Sequence, residues 1–139
     1  MRFENAREFP EGTRTAADAA AAIGCEVGQI VKSLVFRRGD DPLLVLCSGA
    51  NRVDEQTLGA GAGKADAAFV REATGFAIGG VPPWGWRRPP TETLVDEDLL
   101  AYEEVWAAAG TPRSVFPLSP ADLVERTGGR VTRVAPAAH

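Results

Sequence analysis

The sequence predicts one mixed α/β domain. Segments with strand-like and helix-like patterns alternate along it with short connections. The chain has 139 residues, 45% of them hydrophobic, which suits a single buried core and argues against a disordered chain. No repeat, low-complexity tract or linker divides it, so residues 1–139 read as one unit.

Taken in order, residues 1–14 read as a loosely structured lead-in. Thr15, with Asp18 three residues on, suits a helix N-terminus, and the Ala-rich run that follows stops at Gly24. Residues 29–36, apolar and β-branched, predict a strand. Asp40-Asp41-Pro42 predicts a turn, and the apolar run 43–47 a second strand buried on both faces. Ser48-Gly49-Ala50-Asn51 breaks that strand, and residues 53–58 read as a short helix. The stretch 59–64 has a phosphate-loop composition without the required Ser or Thr ending, and is expected to be a mobile loop. Asp66 caps a helix over Ala67–Thr74 that stops at Gly75. Residues 76–78 suggest a short strand leading into the Gly/Pro segment 79–85. Strands are expected at 93–95, 104–107 and 114–117. Asp96, Glu97 and Asp98 suit the start of a helix, and Ser119-Pro120 caps a final one.

Composition narrows the function classes. Net charge is −4, which disfavours strong non-specific binding to nucleic acid. Thirteen of the fifteen basic residues are Arg, and Lys occurs only at 32 and 64. Arg37-Arg38, Arg87-Arg88 and the group Arg126, Arg130 and Arg133 are either local basic patches or solvated surface. No apolar run reaches the roughly 20 residues of a membrane helix, and Met-Arg-Phe-Glu-Asn is not laid out as a secretion signal. Cys25 and Cys47 stand in apolar surroundings at no metal or disulfide spacing, so reduced cysteines in a cytoplasmic protein are expected.

Lys32 is the first residue that breaks a pattern. On an extended strand it shares a face with Ile30, Leu34 and Phe36, and neither face is polar. Its ammonium group is either drawn into a cleft with a partner or snorkels to water from an edge strand. The segment 79–85 is the second, because two glycines let a ligand approach the main chain and two prolines stiffen it. A plain turn has the same composition. His139 is the only histidine, which argues against Ser/His or Cys/His catalysis, and no residues have zinc-ligand spacing. No metal or cofactor is expected.

Residues 29–36 resemble the signature strand of the YbaK/prolyl-tRNA-synthetase-associated domain family. Similar motifs follow in order at Ser48 to Asp54, Thr74-Gly75, residues 79–85, Ala108-Ala109-Gly110 and the helix start at Ser119. The likeness runs from about Thr13 to Val134. It implies a mixed β-sheet curled into a partial barrel with surrounding helices. It implies also trans-editing, the hydrolysis of mischarged aminoacyl-tRNA carrying a small amino acid. The family's lysine maps onto Lys32 and its GxxxP motif onto Gly79 and Pro83. The resemblance thus makes Lys32 and Gly79 the catalytic residues and places Gly80, Pro83, Ser33 and Ala108 against the substrate. The expected partners are the 3′ aminoacyl end of tRNA and an aminoacyl-tRNA synthetase. Ala108 stands where many relatives have Ser, and Ser33 where alanine-specific relatives have Asn; both bear on which amino acid is accepted. A non-catalytic tRNA- or synthetase-binding module is the alternative.

Overall fold

The computed structural model describes residues 3–9 and 15–136. Residues 1, 2 and 10–14 of the expected lead-in lie outside the described residues, as does His139. The chain forms one α/β domain around a mixed sheet of eight strands, in the order β1-β7-β6-β2-β3-β5-β8, with β4 paired to β2 off this path. The strands are β1 (Arg7–Glu8), β2 (Ile30–Arg38), β3 (Asp41–Ser48), β4 (Ala62–Lys64), β5 (Glu92–Asp96), β6 (Val105–Ala108), β7 (Ser114–Leu118) and β8 (Arg130–Thr132). Among the described residues three α-helices accompany them: α1 (Ala16–Ile23), α2 (Ala67–Thr74) and α3 (Pro120–Thr127).

The helices start and stop where the capping residues dictate. The side chains of Thr15, Asp66 and Ser119 accept from the backbone amides of Asp18, Phe69 and Asp122, which have no helical partner of their own. Each helix ends on a left-handed glycine, at Gly24, Gly75 and Gly128.

The β2–β3 hairpin is the centre of the molecule. Leu43, Leu44, Val45, Leu46 and Cys47 are at most 1% exposed, because β3 lies between β2 and β5 and is covered on both faces. Leu44 and Leu46 join Val31, Val95, Leu99 and Phe116 in the main core; Leu43, Val45 and Cys47 pack with Phe36, Leu58 and Val134 on the opposite face. A third cluster, of Ala19, Ala20, Ile30, Trp106 and Val115, seats α1.

Four expectations are corrected by the structure. The hairpin turn is Gly39-Asp40, with Gly39 at φ +60°, and Asp41 and Pro42 belong to β3. Pro42 is tolerated because its missing N–H points toward β5, whose pairing with β3 begins only at Leu43. Residues 62–64 are not a loop but β4, antiparallel to β2 with Lys64 opposite Phe36. Residues 76–78 form no strand; the Gly80 amide donates to the Ala77 carbonyl in a turn. Arg7 and Glu8, inside the expected lead-in, pair with Val115 and Ser114. The short helix expected within 53–58 and the one expected to start at Asp96 to Asp98 are both present as 3-10 helices, at Glu55–Leu58 and Glu97–Ala101.

Candidate functional site

The two edges of β2 differ. Along one, β3 pairs with every residue from Val31 to Arg38. Along the other, β6 covers Ile30 and Val31, and β4 covers Phe36 to Arg38. Among the described residues no strand lies beside 32–35 on that edge. The Gly49 amide donates to the Ile30 carbonyl at 2.7 Å, so even-numbered residues of β2 turn their backbone groups toward β3. Those of Ser33 and Val35 therefore face the gap.

Two cavities of about 600 and 570 Å³ meet at this gap and share Lys32, Ser33, Leu34, Ile78, Gly79 and Val81 as a common wall. The first is mainly apolar, reaching Ala16, Ala19, Ile30, Trp106, Ala108 and Pro112, with Lys32 its one charged residue among those described. The second is bounded by Arg52, Val53, Glu55, Lys64 and Val70. Ile78 forms part of the rim and is 60% exposed, an uncommon state for a large aliphatic side chain.

Lys32 occupies the seam for a structural reason. On its face of β2, Ile30 packs under α1 while Leu34 and Phe36 belong to the cluster around Leu58 and Val134. Neither cluster covers the position between them, so the side chain emerges there half-buried. Its ammonium group donates to the Asn51 carbonyl at 2.5 Å. Asn51 is itself fixed, since its side-chain amide donates to Asp96 at 2.9 Å and to Asp98 at 2.7 Å. Asp96 is only 1% exposed and accepts also from the Ser48 and Asp98 amides. A buried carboxylate is tolerable when N–H groups satisfy its oxygens. Asp96 thus holds the end of β3 and, through Asn51, the carbonyl on which Lys32 rests.

Of the residues singled out by sequence, Lys32, Ser33, Gly79 and Ala108 come together around the first cavity. Ser33 has a buried hydroxyl without a hydrogen-bond partner among the described residues. Gly80 and Pro83 line neither cavity. The Gly80 amide is already committed to Ala77, and a Cβ there would come within 2.7 Å of the Thr111 carbonyl carbon. The absence of a side chain at Gly80 lets the loop lie on the Thr111-Pro112 backbone. Pro83 is buried within the loop, beside Pro82, whose carbonyl accepts from the Trp86 indole at 2.8 Å. Gly79, at φ +92°, makes the bend that brings the loop to the cavity wall.

Other chemistry is sparse. Burial pushes the Cys47 thiol up to about 12, partly offset by Lys32 across the strand pair, so it is protonated and unreactive near neutral pH. Cys25 is half-buried. Among the described residues no three His, Cys, Asp or Glu side chains group as metal ligands, and no helix is long and apolar enough to cross a membrane. The arginine patches are largely neutralised: Arg37, Arg38, Arg88, Arg130 and Arg133 pair with Asp40, Glu92, Glu72, Glu92 and Glu97.

The sequence profile of the aminoacyl-tRNA editing domain matches residues 10–125. The chain belongs to that family. A crystal structure proposed to be a trans-editing enzyme for prolyl tRNA synthetase superposes with a TM-score of 0.89 at 48% identity, over 95% of this chain and 86% of that one. A scaffold protein used for computational grafting of linear epitopes gives 0.89 at 45% identity, over 96% and 87%. The uncharacterized protein YwhH of Bacillus subtilis (strain 168) is 34% identical over 135 residues, covering 94% of this chain and 85% of its own. The editing-domain fold therefore extends over nearly the whole chain.

Proposed function

We propose that this editing domain is a free-standing deacylase that hydrolyses the ester of mischarged tRNA carrying a small amino acid. The observation that carries the reading is Lys32, held at an uncovered strand edge beside Gly79 and facing a cavity with small, apolar walls. The aminoacyl group enters the first cavity, where Ala108, Ser33 and Trp106 limit its size. Water adds to the carbonyl carbon, the bond to the ribose oxygen breaks, and that oxygen leaves with a proton. The ester is already activated, so positioning and stabilisation of the developing oxyanion suffice. Lys32 supplies positive charge there, and the uncovered Ser33 and Gly79 backbone supplies dipoles. No carboxylate, histidine or cysteine lines the first cavity among the described residues, so the free ribose hydroxyl next to the ester assists the water. Gly80 and Pro83 act behind the wall, shaping the loop. Such work belongs in the cytoplasm beside an aminoacyl-tRNA synthetase, and the similar structure proposed to be a trans-editing enzyme for prolyl tRNA synthetase supports that placement.

A deacylation panel of tRNAs charged with alanine, serine, threonine, cysteine, phenylalanine and tyrosine tests this reading. Hydrolysis confined to the small residues, and unaffected by chelators, is expected. A missing methylene is worth only about 1–3 kcal/mol, so activity on several small residues is consistent. Preference for the aromatic residues overturns it, and tRNA binding without hydrolysis of any ester makes the domain an adaptor.

A further inference from the structure

The second cavity differs from the first in charge, and we infer that it is a phosphate subsite in which Arg52 and Lys64 take the phosphodiester of the 3′-terminal nucleotides. The inference rests on the proposed aminoacyl-tRNA substrate and assigns the half of the site which that reading leaves empty. Three cations, Lys32, Arg52 and Lys64, meet one carboxylate, Glu55, in this cavity, leaving two positive charges in excess, although the whole chain carries −4. Clefts lined by one sign of charge focus the field on an incoming ligand of the other. Among the described residues neither Arg52 nor Lys64 forms an ion pair, whereas five arginines elsewhere do.

Placement agrees with charge. Arg52 directly follows Asn51, whose carbonyl holds Lys32, so both cations are set by one short turn after β3. Lys64 is brought in by β4, at the position opposite Phe36, one edge of the gap. A phosphodiester lies on the ribose side of an aminoacyl ester, and the second cavity adjoins the first along a shared wall that includes Lys32. Phosphate contacts fix register and orientation without reading sequence, which is what a site directed at a common 3′ end needs.

The test is a pair of binding and rate measurements on the parent chain and on the Arg52→Gln/Lys64→Gln double variant, in which both changed side chains are exposed. The single-stranded trinucleotide cytidylyl-cytidylyl-adenosine is titrated against each, with adenosine, which has no phosphate, as the contrast. The double variant is expected to bind the trinucleotide at least tenfold more weakly while adenosine binding is unchanged. Its affinity should also depend less on salt, the log–log slope falling by about 0.7 per lost contact. Equal trinucleotide binding by both chains, or none by the parent, overturns the subsite. Deacylation kinetics separate the two proposals: a raised KM at constant kcat on aminoacyl-tRNA supports the subsite. A parent that binds the trinucleotide but hydrolyses no ester contradicts the proposed activity and leaves the binding result to decide the subsite.

Discussion

The two edges of β2 use the same nine residues for opposite purposes. On the β3 side an unbroken ladder seals the most buried strand of the molecule. On the other side β6 and β4 each pair with one end, and the middle of the strand is left open. Sheets normally satisfy or cover their edges, because exposed backbone groups invite pairing. Here the opening is flanked by Ile78, Gly79 and Val81 and lies where two cavities meet, so its backbone polarity is available to whatever enters them. The contrast teaches that stability and chemistry can be divided between the edges of one strand, and substitutions can be chosen to strike one edge and spare the other.

The largest effect is expected on the open edge. Lys32→Ala removes the charge at the seam and should slow deacylation of small-amino-acid tRNAs by about 10²–10³-fold, on the order of 2–4 kcal/mol by comparison with oxyanion-hole deletions. Its melting temperature should stay within a few degrees of the parent, since the only bond lost is to the Asn51 carbonyl. A rate close to that of the parent would make Lys32 structural. Asp96→Ala strikes the sealed side instead. It strands the buried Ser48 amide, removes the acceptor of the Asp98 amide and leaves Asn51 held by Asp98 alone, and thermal unfolding should show a loss of about 3 kcal/mol, or a fall on the order of 10 °C.

How far these edges could be read from the sequence differs element by element. Helix caps are local, so Thr15, Asp66 and Ser119 announced α1, α2 and α3 without any tertiary information. Residues 43–47 did so through an unbroken apolar run. Strand β4 stayed hidden because Gly59-Ala60-Gly61-Ala62-Gly63 has no side-chain alternation to read, and only pairing with β2 makes it a strand. The same blindness hid the placement of Lys64 in the wall of the second cavity, since the stretch 59–64 reads as a mobile loop. Residues 76–78 show the reverse, since an apolar triplet with no partner strand forms no strand. In the site, Lys32 stood out because a charge interrupts an apolar pattern. Asn51 and Asp96 did not, because their value lies in contacts across 45 residues of sequence. Arg52 was one arginine among thirteen until the fold paired so many of the others.

Smaller effects sharpen the comparison within the apolar cavity. Ala108→Val narrows the wall and should lower kcat/KM for threonyl-tRNA about tenfold relative to alanyl-tRNA, a difference that competition between the two esters measures directly. The smallest effect concerns Cys47. Its folded-state thiol titrates at about 12 against an ordinary value of 9.0, so the folded state favours the protonated form. The resulting stability is fully present below about pH 9 and is lost as pH rises toward 12. Between pH 6 and 8.5 Cys47 should therefore leave no inflection in the rate profile. Iodoacetamide at pH 8 should modify Cys25 well before Cys47, and mass spectrometry of the digested protein reads the order.

The central claim is that the open middle of β2 receives the ester, and amide hydrogen exchange measures it at the residues concerned. A non-hydrolysable analogue, 3′-alanylamino-3′-deoxyadenosine, places an amide where the ester would be. On its addition the Ser33 and Val35 amides, which face the gap, should gain protection. The Lys32 and Leu34 amides, which face β3, should change little. Protection that develops elsewhere while Ser33 and Val35 exchange as before would contradict the account.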